Sequence, residues 1–174
     1  MLYFAMGSMV MLFGGLTSAY VVRHAEGNWL HFDMPPPFYF STALILLSSI
    51  FMTMAVSAVK KDNYALIQKT LGVTFLLGIA FMICQFIGWS ELTTQKVFFA
   101  GKDSNASGSF FYVLTGLHLA HLVGGMLYLL AVNIQSLKKK YNAQNYLSLQ
   151  LCATYWHFLG GLWIYLFFFL ILIS

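Results

Sequence analysis

Long apolar runs separated by short polar segments dominate the 174-residue chain. Five runs contain no Asp, Glu, Lys or Arg, and the nine basic and five acidic residues all lie between or beyond them. The runs cover approximately residues 2–22, 38–59, 70–89, 110–132 and 149–173. A helix needs about 20 apolar residues to cross the hydrocarbon core of a bilayer. The pattern therefore predicts five transmembrane helices.

Helices are expected rather than strands because the runs are continuously apolar, whereas the strands of a membrane barrel alternate. The composition agrees, since 60% of the residues are hydrophobic and only 8% are charged, against about 25% charged residues in a soluble domain. No basic residue precedes the first run, so we interpret it as a retained span and not as a cleaved signal peptide. The sequence thus predicts one all-α domain over residues 1–174, a polytopic membrane bundle.

Basic residues in the loops predict the orientation of the bundle. Cytoplasmic loops carry an excess of Lys and Arg. The second and fourth loops hold six such residues and the first and third hold three, so we expect the N-terminus in the cytoplasm and the C-terminus outside. The two sets are Lys60, Lys61, Lys69, Lys138, Lys139 and Lys140, against Arg23, Lys96 and Lys102. Nucleic-acid binding is not expected, because these residues are divided among short loops.

Polar side chains inside the predicted spans are the candidate functional residues. His118 and His121 lie three residues apart on the fourth span and so share a face. Polar residues at membrane depth usually point into a bundle and form hydrogen bonds there. We interpret them as a packing cluster that bonds the fourth and fifth helices together. Its members are Thr115, His118, His121, Tyr155, Trp156 and His157.

Two other interpretations of the histidines stay open. His118 and His157 are candidates for the two axial ligands of a haem, as in a free-standing b-type cytochrome. Alternatively, the imidazoles contact lipid headgroups or a partner subunit. A dinuclear copper site is excluded because Cys84 and Cys152 are far apart in the sequence and form no CxxC pattern. We predict no metal and no cofactor bound by this chain.

Charged residues are missing from every predicted span. Ion-coupled transporters normally place acids or cations at membrane depth, and often break a helix there with Pro or Gly. All three prolines of this chain lie together in the first loop, where Met34 to Pro37 predict a stiff extended segment. A small transporter is therefore a weaker alternative.

Short motifs in a fixed order along the chain carry a family resemblance. Two lie on the fourth and fifth spans: residues 108–124, with the sequence GSFFYVLTGLHLAHLVG, and Tyr155-Trp156-His157-Phe158 followed by Trp163. Three lie on earlier spans: Leu12-Phe13 through Tyr20 and Arg23, Ser41-Thr42 with Leu46-Leu47-Ser48-Ser49, and Gln85 with Trp89 and Glu91. Together these motifs resemble subunit III of the haem-copper cytochrome c oxidases, in its five-helix form.

The resemblance implies an accessory, non-catalytic subunit III of an aa3-type cytochrome c oxidase in an aerobic respiratory chain of a bacterial cytoplasmic membrane. It implies oxidase subunits I and II as partners, and a larger respiratory supercomplex as a further assembly. Haem and copper then belong to the partners. This chain stabilises subunit I and holds phospholipid in a cleft between its first two and last three helices. Arg23, Trp89 and Glu91 are expected contacts for lipid or for a partner. A subunit III-like partner of a quinol oxidase or a nitric oxide reductase is the alternative within the family.

Two departures from the family pattern qualify this expectation. Leu159-Gly160 follows the Tyr-Trp-His-Phe motif where the family often has an acid, and Gly88 stands where another acid is common. We therefore do not expect carboxylates of this subunit to supply protons.

Overall fold

The computed structural model describes residues 1–25, 34–95, 97, 106–138, 141 and 144–173. Over these ranges the chain forms five α-helices, each long and apolar enough to cross a membrane. They are α1 (Leu2–Ala25), α2 (Pro36–Val59), α3 (Tyr64–Thr94), α4 (Ala106–Leu137) and α5 (Leu147–Ile173). The all-α class with five spans is thus confirmed. Four of the lysines used for the orientation, Lys96, Lys102, Lys139 and Lys140, lie outside the described residues.

The helices extend beyond the apolar runs, and α3 does so most. It has 31 residues and begins at Tyr64, where the Asn63 side chain caps it by accepting a hydrogen bond from the backbone N–H of Leu66 at 3.2 Å. Hydropathy marks only the part of a helix that lies in hydrocarbon, so a capped polar turn such as this one is not detected by it.

The first two residues of α2 are prolines, so the prolines do not all precede the helix. Pro35 is extended, with φ −59° and ψ 142°, and the helix starts at Pro36. The predicted extended segment through Pro37 is therefore shorter in the structure. The reason is that the first helical turn needs no N–H donors, and the fixed φ of proline suits it.

The arrangement of the helices differs from the division carried over from the family. α2 and α3 form a hairpin that packs along its length, and α5 lies against α1, α2 and α4. α3 also packs on α4. In the described ranges the backbones of α1 and α2 nowhere approach within 8 Å, and α1 contacts α4 and α5 instead. The expected pairing of the first two helices is therefore wrong.

Aromatic rings fill the centre of the bundle. Phe38, Phe81 and Trp163 are almost fully buried and come from three different helices. The ring of Phe81 meets that of Trp163 edge to face at 5.1 Å, and Phe38 stacks on Trp163 at 6.2 Å. Association of helices in lipid depends on such close packing, because hydrocarbon offers no hydrophobic driving force between them. Trp163 of this aromatic group also contacts two of the polar residues described next, Thr42 and His118.

Candidate interhelical polar site

Two hydrogen bonds from tryptophans join α5 to α2. The ring N–H of Trp163 donates to the hydroxyl of Thr42 at 3.0 Å, and that of Trp156 donates to the hydroxyl of Ser48 at 3.0 Å. Each hydroxyl in turn donates to a backbone carbonyl of its own helix, Thr42 to Phe38 at 2.9 Å and Ser48 to Ile45 at 2.8 Å. A hydroxyl has one proton and two lone pairs, so both bonds form together.

α3 uses the same arrangement towards α2 and α4. The Gln85 amide donates to the hydroxyl of Ser41 at 3.1 Å, and the ring N–H of Trp89 donates to the hydroxyl of Thr115 at 3.1 Å. Thr115 donates to the carbonyl of Phe111 at 2.8 Å. Because the proton of Thr115 is used within α4, its lone pair is left to face the neighbouring helix. The two bonds connect α3 to the helices on either side.

His157 lies on α5 and bonds to α2. Its Nδ1 is hydrogen-bonded to the hydroxyl of Ser49, and its Nε2 lies 3.4 Å from the hydroxyl of Thr53. The proton of Thr53 points to the Ser49 carbonyl at 3.0 Å. Each hydroxyl has one proton and two lone pairs, so both ring nitrogens have a partner on α2. Unlike the tryptophans, His157 is exposed on the surface of the bundle.

The two histidines of α4 face different neighbours. The Nδ1 of His121 donates to the backbone carbonyl of Leu117 at 2.7 Å, and its ring lies 5.9 Å from that of Phe13 on α1. His118 is fully buried, 5.1 Å from the ring of Trp163 and 6.1 Å from Phe81. Neither ring nitrogen of His118 has a hydrogen-bond partner among the described residues.

The structure distributes the six predicted residues over several interfaces and does not gather them into one cluster. Tyrosine hydroxyls form hydrogen bonds between α4 and α5: that of Tyr155 donates to the backbone carbonyl of His121 at 3.2 Å, and that of Tyr128 donates to the carbonyl of Ser148 at 3.1 Å. His157 bonds to α2 instead. His118 and His121 are neighbours on the surface of α4. Nevertheless His118 packs against rings of α3 and α5, whereas the ring of His121 packs against Phe13 of α1. The role of these residues in holding an oxidase together stays a prediction.

The three predicted lipid or partner contacts lie near helix ends. Arg23 is exposed in the last turn of α1. Trp89 is partly buried through its bond to Thr115, and Glu91 is partly buried near the end of α3. Their role as contacts also stays a prediction.

Hydroxyl residues of α2 belong to the site, although the sequence alone does not mark them as candidates. Thr42 and Ser48 accept the hydrogen bonds of the two tryptophans. Ser49 and Thr53 are hydrogen-bonded to His157. A hydroxyl in an apolar helix is a detectable signal, but a sequence does not say which donor on which helix will meet it. Thr17 of α1, whose hydroxyl lies 3.0 Å from that of Tyr165, was missed for the same reason.

A protein usually holds a metal ion with several His, Cys, Asp or Glu side chains. In the described ranges no group of three or more His, Cys, Asp or Glu residues lies close enough to hold a metal ion. Cys84 and Cys152 are free thiols.

Comparison with known proteins identifies the family of this chain. The family described as Cytochrome c oxidase subunit III matches residues 32–174 of this chain. The chain belongs to the cytochrome c oxidase subunit III family. Cytochrome c oxidase subunit 3 of Bacillus sp. (strain PS3) is 28% identical over 167 residues, covering 93% of this chain and 79% of the relative. The probable subunit 3 of Nocardia farcinica (strain IFM 10152) is 29% identical over 170 residues, covering 93% and 81%. Cytochrome c oxidase subunit 3 of Bacillus subtilis (strain 168) is 30% identical over 129 residues, covering 74% of this chain and 61% of the relative.

The subunit III motifs meet one another in space. Ser48 and Ser49 of the α2 motif bond to Trp156 and His157 of the α5 motif. Gln85 of α3 bonds back to Ser41 of α2. Residues that are far apart in this subunit III sequence therefore form one set of interhelical hydrogen bonds.

The two departures from the subunit III pattern lie in apolar surroundings. Gly88 faces the ring of Phe38, and a Cβ atom at this position would lie 2.6 Å from the Phe38 Cε2. Leu159 is fully buried, and Gly160 lies against Ile45. A side chain at position 88 would therefore displace Phe38, whereas at Gly160 the obstacle is the apolar surroundings, in which a carboxylate would have to be buried.

Proposed function

We propose that this protein is the non-catalytic subunit III of an aa3-type cytochrome c oxidase in a bacterial respiratory chain, where it stabilises subunit I. The carrying observation is the set of interhelical hydrogen bonds: the polar motif residues Trp156, Trp163 and Trp89 are engaged with hydroxyls of neighbouring helices. Side chains so engaged hold neighbouring helices together, which suits a supporting subunit. The family match over residues 32–174 includes all three tryptophans.

The redox centres of this proposal lie in the partner subunits I and II. Haem and copper in those chains carry electrons from cytochrome c to O₂, which is reduced to water. This chain contributes a preassembled surface of packed helices next to subunit I. The relatives carry the name of a cytochrome c oxidase subunit, and this supports cytochrome c over quinol as the electron donor. A larger respiratory supercomplex is part of the same proposal.

Phospholipid occupies a cleft beside α1 in this proposal. Because α1 packs on α4 and α5 and not on α2, the cleft differs from the one expected between the first two and last three helices. A cavity of about 360 Å³ lies between α1 and α5. It is lined by Val10, Phe13, Gly14, Leu162 and Tyr165. Its walls are almost wholly apolar, which suits an acyl chain.

The protein spans the cytoplasmic membrane of a bacterium in the proposed arrangement, with its N-terminus inside. Bacterial relatives support the choice of membrane. Exposed Lys60, Lys61 and Lys69 at the junction of α2 and α3 support the orientation, because basic residues favour the cytoplasmic side.

Replacing His157 with leucine tests the stabilising role. The substitution removes the bonds to Ser49 and Thr53 and leaves the core tryptophans in place, so α5 loses part of its attachment to α2. Each such bond contributes about 1 kcal/mol. We expect the initial rate of O₂ reduction by the purified oxidase to stay within about twofold, while its lifetime during turnover falls at least about threefold.

Phe168→Leu is the control for His157→Leu, because Phe168 is an exposed residue of the same helix. This variant should keep the wild-type lifetime. If His157→Leu instead abolished the initial rate while the subunit remained bound, the chain would have a direct catalytic role and the proposal would fail.

A further inference from the structure

Polar residues mark one side of the C-terminal end of α2. Thr53 and Ser57 are four residues apart and share a face of the helix, with about 6 Å of helix axis between them, and Lys61 follows in the turn after the helix. The face opens into a groove of about 380 Å³ between α2 and the start of α3. This volume lies within the usual range for sites that bind small molecules. The remaining lining residues are Ile50, Met54, Ala58 and Leu66.

The turn that carries Lys61 is held by backbone hydrogen bonds. The carbonyl of Ala58 accepts from the N–H of Lys61 at 3.1 Å and from that of Asn63 at 3.1 Å. Asp62 takes a positive φ of 50° and reverses the chain into α3. Lys60 and Lys61 are both exposed, but only Lys61 lines the groove. The structure therefore places the ammonium group of Lys61 at one end of a mostly apolar groove.

An amphiphile with an anionic headgroup matches this distribution of charge and polarity. The ammonium group of a lysine attracts a phosphate at the membrane surface. Next to it along the groove, the hydroxyl of Ser57 is a hydrogen-bond donor of the kind that the ester carbonyl of a lipid accepts. Ile50 and Met54 continue the groove with apolar side chains, which suit a hydrocarbon chain. A soluble phosphate would contact only the lysine and would leave the apolar part of the groove empty.

We propose that this groove is a binding site for an anionic phospholipid, with its phosphate at Lys61 and an acyl chain along Ile50 and Met54. The site lies on the α2–α3 hairpin and is separate from the cavity between α1 and α5. It is a property of this chain and does not depend on the proposed oxidase assembly.

Photocrosslinking tests the site. The complex containing the full chain is reconstituted in nanodiscs of phosphatidylcholine with a minor fraction of phosphatidylglycerol that carries a photoreactive acyl chain. A second preparation carries the same photoreactive group on phosphatidylcholine. Peptides from α2 and α3 are then analysed by mass spectrometry. We expect crosslinks at Ile50, Met54 or Leu66, about fivefold more with phosphatidylglycerol, as one lysine near the membrane surface provides.

Matched lysine variants separate a site from general surface charge. Lys61→Gln should lower the phosphatidylglycerol yield to that of phosphatidylcholine, whereas the neighbouring Lys60→Gln should keep it within about twofold of wild type. Ser57→Phe, which fills the groove from its exposed side, should remove the crosslinks of both lipids. Equal yields for the two lipids in the wild-type chain, equal effects of the two lysine variants, or crosslinks from Met54 to another protein chain would each overturn the proposal.

Discussion

Replacing Trp156 with alanine should lower the free energy of unfolding by about 3 kcal/mol and reduce the amount of subunit in the membrane. Trp156 is 1% exposed and packs closely against Gly78 of α3 while it donates to Ser48 of α2. Its loss leaves a large cavity where α2, α3 and α5 meet. The cavity term persists in lipid, although the transfer term is smaller there than in water.

Reversible unfolding in bicelles measures this effect, with two further variants that divide it. Trp156→Phe keeps most of the ring and loses the N–H donor, so it should cost about 1 kcal/mol. Phe168→Ala is the control, since the Phe168 side chain is 58% exposed and leaves no internal cavity. If Trp156→Ala were no more destabilising than this control, the packing described for α5 would be wrong.

Replacing Gly88 with leucine should destabilise the protein by about 2–3 kcal/mol, because the new side chain overpacks a fixed aromatic ring. A Cβ at this position already lies 2.6 Å and 2.8 Å from Phe38 ring atoms. The ring has no free direction in which to move, since it meets Phe111 edge to face at 5.4 Å and stacks on Trp163. The same unfolding measurement, with the stability of the assembled complex as a second readout, detects the change.

Gly72→Leu is the matched control for Gly88→Leu on the same helix. A Cβ at Gly72 meets nothing within 4 Å, so leucine has space there and improves helix propensity. This variant should be neutral or slightly stabilising. Equal destabilisation by the two substitutions would mean that the close approach of α2 to α3 at Phe38 does not limit the fold.

Hydrophobic pattern was sufficient to predict the number and type of the helices. Charges are so costly at membrane depth that their positions mark the limits of each span directly. The same pattern says little about which helices touch, because every span is apolar on all sides. The contact of α2 with α3 depends on the fit of Phe38 to Gly88, and that of α1 with α5 includes the contact of Thr17 with Tyr165. Contacts of this kind depend on the tertiary structure and cannot be deduced from hydropathy. For this reason the expected grouping of α1 with α2 was wrong.

Candidate residues could be predicted more readily than their partners. His157 and Trp156 stand out in an apolar helix, and both form interhelical bonds. Their partners Ser49 and Ser48 are hydroxyl residues, and most hydroxyls in membrane helices bond only to their own backbone. His118 shows the opposite case, a conspicuous polar residue that the structure surrounds with the rings of Phe81 and Trp163. A sequence gives the chemistry of a side chain, whereas the neighbouring helix decides what the side chain does.

Purification of the chain in mild detergent, followed by a visible spectrum before and after its separation from co-purifying proteins, tests the central claim most directly. We predict that it co-purifies with larger oxidase subunits, that haem and copper remain with those subunits, and that the separated chain has no visible absorption. Haem or copper in stoichiometric amount on the separated chain, or purification without any redox-active partner, would contradict its assignment as a supporting subunit.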